Sequence, residues 1–97
     1  MLDSTYELFT VRAPKRLDTL VCPALAIDLR EKIQPGRGVV LDLSQTQFIE
    51  LESAELILQG LLLAKRCNAH FSLRGVNSQV QQILETAGVL QHFRRKS

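Results

Sequence analysis

The sequence predicts an α/β domain in which a mostly parallel or mixed β-sheet packs against helices. Strand-like and helix-like segments alternate along the chain in the order β, α, β, α, β, α. One of them, Val39–Leu43, is a short continuous apolar run, which is typical of strands buried on both faces. There is also no internal repeat and no linker. Alternation of this kind favours parallel strands joined by covering helices.

The first strand and the first helix have clear boundary signals. The segment Tyr6–Ala13 alternates in side-chain character, is rich in β-forming residues and is followed by Pro14, which predicts a strand near a sheet edge. A helix is predicted from about Cys22 to Lys32, since Pro23 suits a first helical turn. The Pro-Gly pair that begins at Pro35 must end this helix.

The middle of the chain predicts a central strand and a long helix. The strand is Val39–Leu43, which follows a glycine-rich turn. The second helix is predicted from about Glu52 to Cys67, because acidic residues occupy its first turn and Lys65 and Arg66 its last, as the helix dipole favours. Asn68 is expected to close it.

The last third of the chain predicts a third strand and a third helix. The alternating segment His70–Val76 is the strand. Asn77 or Ser78 is expected to cap the helix, and Ser78 has Gln81 at capping-box spacing. Gly88 lies where a left-handed C-terminal cap is expected.

Length and composition indicate one globular domain over residues 1–97, with a core from about 6 to 93. The chain has 97 residues, of which 45% are hydrophobic and 23% charged. Its formal charge of +2 falls to −1 once the three positive charges of the tail, residues 94–97, are removed. Nucleic-acid binding is not expected, because no folded segment combines clustered basic residues with aromatic ones.

The sequence offers no catalytic, cofactor or metal site. Cys22 and Cys67 are far apart, form no CxxC pair and have no histidine at ligand spacing, so neither zinc nor a disulfide is indicated. Neither His70 nor His92 has an evident catalytic partner. The five glycines form no phosphate-binding motif. We therefore expect a protein that binds rather than catalyses.

The chain is expected to be cytosolic and not inserted in a membrane. Its first residues include Asp3 and Glu7 and do not form a signal peptide. Its apolar runs are far shorter than the roughly 20 residues that span a bilayer.

The second helix carries an unexpected apolar flank. At about 100° per residue, one group shares the sector that should face water: Glu52, Glu55, Gln59 and Arg66. The group opposite should face the sheet: Ile57, Gly60, Leu61 and Ala64. A third group lines up on the flank of the polar sector and fits neither side: Leu51, Leu58 and Leu62.

These three leucines have two interpretations. They either widen the buried stripe or form a docking ridge for a protein partner. The rim of the docking ridge would be acidic, because Glu50, Glu52 and Glu55 surround it, and would suit an arginine-bearing partner.

Several segments, in order and spacing, resemble the STAS family, the fold of bacterial anti-sigma-factor antagonists. They are RLD at Arg16–Asp18, VVLDLS at Val39–Ser44, FIELESAEL at Phe48–Leu56, SLRGV at Ser72–Val76 and NSQVQQILETAGV at Asn77–Val89. The resemblance implies a STAS-like fold. It also places Val21 where many members begin the first helix with a capping hydroxyl, so Asp18 or Thr19 is expected to cap that helix here.

The resemblance also implies a phosphorylation loop, D-S-S-G, whose first serine is modified by a kinase-like anti-sigma factor. An ungapped alignment puts Glu50, Leu51, Glu52 and Ser53 at these positions. Leu51 cannot be phosphorylated, so the usual switch is not expected. Ser53 either contributes backbone hydrogen bonds at the helix start or takes over as phosphoacceptor.

The leading hypothesis is an anti-sigma-factor antagonist-like module of a partner-switching pathway that regulates transcription. Its partner, a kinase-like anti-sigma factor, would contact Asp18, the loop Glu50–Ser53, Glu55 and the docking ridge. The alternative is a cytosolic STAS regulatory subunit of a membrane complex of the lipid-transport ABC type. The chain is short for the family, with little room for a strand before Tyr6 and none for a terminal helix after Phe93. We expect this to leave apolar surface that would suit a homodimer.

Overall fold

A computed structural model describes residues 7–94 and shows the predicted α/β architecture. Its elements are β1 (Glu7–Arg12), β2 (Arg16–Leu17), α1 (Cys22–Lys32), β3 (Arg37–Asp42), β4 (Phe48–Ile49), α2 (Leu51–Arg66), β5 (His70–Arg74), α3 (Ser78–Thr86) and α4 (Leu90–Arg94). Residues 1–6, which include the predicted strand start at Tyr6 and most of the segment predicted not to be a signal peptide, and tail residues 95–97 lie outside the described residues.

The main sheet has three parallel strands in the order β1-β3-β5. β3 is central and β1 lies at an edge, as predicted. The register aligns Arg12 with Asp42 and Asp42 with Arg74 across the three strand ends. A second, two-stranded parallel pair joins β2 to β4. This pair was not predicted, because two-residue strands carry no periodic signal.

Helices α1 and α2 lie side by side against one face of the main sheet. The core contains Leu25, Leu29 and Ile33 of α1, Ile57, Leu61 and Ala64 of α2, and Val39, Leu41 and Phe71 of the sheet. Burial of each large apolar side chain contributes about 1.5–3 kcal/mol. Gly60 permits the close approach of α2, because a Cβ there would lie 3.2 Å from the Phe71 ring. The predicted buried and water-facing sectors of α2 are confirmed.

The bounds predicted for α1 are confirmed, and Asp18 prepares its start. Asp18 Oδ1 accepts hydrogen bonds from the N–H groups of Leu20 and Val21, at 3.1 and 3.2 Å. The Asp18 carbonyl also accepts from Cys22 N–H at 3.0 Å. Of the two residues expected to cap this helix, Asp18 therefore supplies the bonds, although they close the turn before the first helical residue.

The C-terminal part adds one correction and one unpredicted element. Asn77 alone caps α3, with its Oδ1 accepting from Val80 N–H at 2.9 Å, and Gly88 adopts the expected left-handed conformation at φ 76°. The short α4 was not predicted, and Arg94 belongs to it rather than to a tail. It is anchored by Phe93, whose ring centroid lies 5.9 Å from that of Phe71. None of the helices among residues 7–94 has the length and hydropathy needed to cross a bilayer.

Candidate protein-docking surface

The junction between β4 and α2 places the sequence-predicted loop at the surface, with Glu50 holding it in position. Glu50 is extended at φ −76° and ψ 150°, and its side chain does not cap α2. Its Oε1 instead accepts a hydrogen bond from Thr19 N–H at 3.1 Å. Glu50 thus ties the start of α2 to the loop before α1, and its carboxylate is committed to that contact.

Asp18 is likewise used within the chain. It is half-buried and accepts the two backbone hydrogen bonds of the turn before α1. Its Oδ2 also lies 3.8 Å from Arg16 Nε, and Arg16 lies 4.5 Å above the ring of Phe48. The two acids predicted to touch a partner at this junction therefore position the loops that surround the site.

The outward surface of α2 combines an exposed leucine and two carboxylates at its start with a second exposed leucine and two basic residues near its end. Leu51 and Leu62 are 50% and 39% exposed. Glu52 and Glu55 are exposed, and neither makes an ion pair or side-chain hydrogen bond with another described residue. Free carboxylates beside exposed leucines are groups that a second polypeptide can bind.

The docking ridge is narrower than the sequence predicts. Leu58 is half-buried and packs against the core rather than standing free. The physical reason is that α2 contacts α3 and α4 as well as the sheet, so more of its circumference is covered than a sheet alone would cover. Leu58 therefore supports the ridge, and Leu51 and Leu62 form its exposed part.

Ser53 faces inward at the first turn of α2. It is 2% exposed, and its Oγ has no hydrogen-bond partner among the described residues. Its contribution to the helix start comes from its backbone, since its N–H donates to the Glu50 carbonyl at 2.9 Å. In this conformation the hydroxyl is inaccessible to a kinase.

The outward face of α1 and the turn before it carry a second apolar feature, which was not predicted from the sequence. Leu20 and Ile27 are 89% and 54% exposed, and Ala24 is exposed between them. We call these three residues the α1 stripe. A signal was available, because from Leu20 to Ile27 the sequence contains no charged residue and its apolar side chains are not confined to one helical face.

A groove runs between α1 and α2. One part, of about 470 Å³, includes Arg30 and Arg66 in its lining. The other part, of about 290 Å³, includes Glu52 and Glu55. Both parts share Ala26, Leu56 and Gln59, so they form one continuous α1–α2 groove. It is acidic at the helix N-termini and basic at the C-termini.

A polar cluster lies at the end of β3, where it stabilises the fold. Asp42 is buried, its Oδ1 accepts from Ser44 N–H at 2.9 Å, and its Oδ2 lies 3.1 Å from Arg74 and 3.7 Å from Arg12. Hydrogen bonds from the hydroxyl and the N–H of Ser44, followed by that of Arg74, lower the pKa of Asp42 to about 2. This carboxylate stays ionised and joins the ends of three strands.

The part of the chain that the structure describes lacks a cluster of metal ligands. Residues 7–94 contain no group of three His, Cys, Asp or Glu side chains that could hold a metal ion. Cys22 and Cys67 are half-buried free thiols.

Comparison with protein families gives a match to the model described as "Mlab, STAS domain" over residues 2–93. No curated protein is similar enough to the chain to count as a match. The matched range includes every element from β1 to α3 and most of α4, so it contains the loop, the docking ridge and the α1–α2 groove.

Proposed function

This chain belongs to the STAS domain family, and from that premise we propose that it acts by docking a protein partner and has no catalytic activity of its own. It is a STAS-type regulatory module, and the proposal concerns how it binds. The observation that carries the proposal is the outward surface of α2. At its start, exposed Leu51 lies beside Glu52 and Glu55, which have no partner among the described residues. Exposed Leu62 continues this surface about three turns further along the helix.

We propose further that phosphorylation of the loop does not switch this docking. The position that resembles the family's phosphoserine is Leu51, and the nearest hydroxyl, on Ser53, is buried. A phosphate carries about −1.5 to −2 charges and must be solvated or paired with cations. Its addition to Ser53 would require the first turn of α2 to open.

Two classes of partner fit a surface of exposed leucines with an acidic rim. The first is a kinase-like anti-sigma factor, which would make the protein an anti-sigma-factor antagonist in a partner-switching pathway that regulates transcription. Such a pathway requires a reversible change at the docking surface, and neither Leu51 nor the buried Ser53 offers an accessible hydroxyl for it.

The second class is a membrane transport complex of the lipid-transport ABC type, in which this chain would be a regulatory subunit on the cytosolic side. A subunit that stays bound needs a permanent surface rather than a switched one. The inward orientation of Ser53 therefore favours this second class.

The docking surface can be tested by affinity purification of the tagged protein from its own cells. We expect the double variant Leu51→Arg/Leu62→Arg to lose the partner that the wild type recovers, because it replaces the exposed apolar contacts with charge. Leu8→Arg is the matched control, since Leu8 is 71% exposed but lies on β1. Equal recovery by all three proteins would remove this surface from the proposal.

The same material distinguishes the partner classes. Recovery of the partner in the membrane fraction, with Ser53 unmodified under all growth conditions, supports the transport-complex assignment. A soluble kinase-like partner that leaves when Ser53 carries phosphate supports the partner-switching assignment instead. Mass spectrometry of the purified protein reads both the partner and the phosphate.

A further inference from the structure

We propose that the face formed by α1 and α2 binds a second copy of this chain across a two-fold axis. This inference goes beyond the proposed docking function, because it concerns the chain's association with itself. It depends on three features of that face. Exposed apolar side chains there have no partner, and the charges at both ends of the groove are unpaired. One end is acidic and the other basic, so two copies can place opposite charges against each other.

The apolar feature spans both helices. The α1 stripe presents Leu20 and Ile27, and across the α1–α2 groove α2 presents Leu62. A helix on the surface of a monomer usually carries polar residues on its outward face. The first two turns of α1 instead leave Ala24 and Ile27 exposed to solvent. Exposed apolar side chains of this kind mark interaction surfaces.

The charges of the groove are ordered by helix direction. Because α1 and α2 both connect parallel strands, they run in the same direction and their N-termini lie at the same end. Glu52 and Glu55 lie at that end, and Arg30 and Arg66 at the other. None of these four makes an ion pair or side-chain hydrogen bond within the described part of the chain. Glu31 lowers the positive charge of the basic end by one.

A two-fold axis that crosses the middle of the groove at right angles to the helices turns this order into complementarity. In an isologous dimer with this axis, the same patch meets itself with the helix direction reversed. The acidic end of one copy then faces the basic end of the other, and the contact occurs twice. Ala26 and Gln59, which line both parts of the groove, would lie near the axis and face their own copies. A foreign partner would need to reproduce this pattern, whereas a second copy supplies it.

Self-association would also affect partner docking. The α1–α2 face and the docking surface share Glu52, Glu55 and Leu62. These residues in one copy therefore cannot contact a second copy and a partner at the same time. We expect partner and self-association to compete. This consequence alone rests on the proposed function.

Sedimentation equilibrium of the purified protein tests the dimer without any partner. We expect the apparent mass of the wild type to rise from monomer toward dimer as its concentration increases. Arg30→Glu and Glu55→Arg should each weaken the dimer by about tenfold or more, because each turns two symmetry-related attractions into repulsions. An equimolar mixture of the two variants should restore association, since both charge contacts of the mixed dimer are attractive.

The controls separate association from folding. Arg30 and Glu55 are exposed, so both variants should have the same circular dichroism spectrum as the wild type and a melting temperature close to that of the wild type. Ile27→Asp, at an exposed apolar position, should abolish the dimer. A wild type that stays monomeric up to millimolar concentration would overturn the proposal. Single charge variants that associate as strongly as the wild type would also overturn it, and so would an equimolar mixture of the two variants that does not associate. The absence of a dimer would leave the docking proposal standing, because the partner purification reads recovery of the partner and not self-association.

Discussion

Two carboxylate-bearing regions of this molecule, the end of β3 and the start of α2, use the same chemical group in opposite ways. At the end of β3, Asp42 is buried and receives hydrogen bonds from Ser44 and Arg74. At the start of α2, Glu52 and Glu55 are exposed and have no partner within residues 7–94. The first region is complete within the chain, and the second offers its charges to another molecule.

The contrast separates carboxylates that stabilise the fold from carboxylates that are available for binding. A buried carboxylate persists only where donors replace the water that it has lost, and Asp42 has them. A carboxylate in water needs no donor and contributes little to folding, so Glu52 and Glu55 remain available for binding. Substitutions in the two regions should therefore separate loss of fold from loss of docking.

The largest expected effect comes from placing a carboxylate in a buried site that lacks donors. Ser53→Asp would put a charge at a position 2% exposed whose present hydroxyl has no hydrogen-bond partner in the described chain. We expect a loss of about 3–5 kcal/mol in the free energy of unfolding, measured by urea denaturation. Leu51→Asp, two residues earlier and half exposed, is the matched control and should change stability by less than about 1 kcal/mol. A stable Ser53→Asp protein that released its partner would instead support a phosphorylation switch.

A somewhat smaller loss of stability is expected from adding a methyl group next to the end of β3, because that region is closely packed. Gly75 has φ 76°, and a Cβ there would lie 2.6 Å from Ser44 Cβ. We expect Gly75→Ala to cost about 2–4 kcal/mol of unfolding free energy, from backbone strain and overlap together. Gly36 has φ 82° with nothing near its missing Cβ, so Gly36→Ala should cost only about 1–2 kcal/mol. Equal losses for the two variants would contradict the close packing at Ser44.

A pH-dependent effect should follow from Asp42. Its pKa is lowered from 3.8 to about 2 in the folded protein, so the carboxylate binds a proton more readily in the unfolded chain. Its contribution to stability is therefore complete above about pH 4 and is lost as the pH falls toward 2. Melting curves of the wild type and Asp42→Asn should differ by a constant amount near neutral pH and converge between pH 4 and 2. A difference that did not change with pH would show that the carboxylate charge is not what stabilises the strand ends.

The smallest effect on folding belongs to the exposed carboxylates. Glu52→Gln/Glu55→Gln should change the free energy of unfolding by less than about 0.5 kcal/mol. The same variant should bind the purified partner more weakly and with less dependence on salt, because the acidic rim acts through screened charge. Isothermal titration at two salt concentrations measures both quantities. Wild-type affinity at low salt would exclude the rim from recognition.

The main elements were predictable because each has a local signal. Helix α1 follows from Pro23 and Pro35, and the central position of β3 follows from its apolar run. The buried and exposed sides of α2 follow from helical periodicity. By contrast, β2 and β4 are two residues each and exist only through their pairing, which local sequence does not encode.

The site was predictable in part, for the same reason. The exposure of Leu51 and Leu62 agrees with the helical projection. The covering of Leu58 depends on how α3 and α4 pack, and the use of Glu50 depends on where Thr19 lies after folding. The alignment of Arg12, Asp42 and Arg74 depends on strand register, which no single segment reveals. Contacts between distant segments account for each of these differences.

Leucine methyl NMR of the complex with the purified partner tests the docking surface most directly, because it reads both regions in one titration. We predict that the methyl signals of Leu51 and Leu62 shift or broaden as partner is added, while those of exposed Leu8 on β1 and buried Leu43 after β3 do not. Perturbation of Leu8 or Leu43, with Leu51 and Leu62 unchanged, would show that the partner binds elsewhere on the molecule.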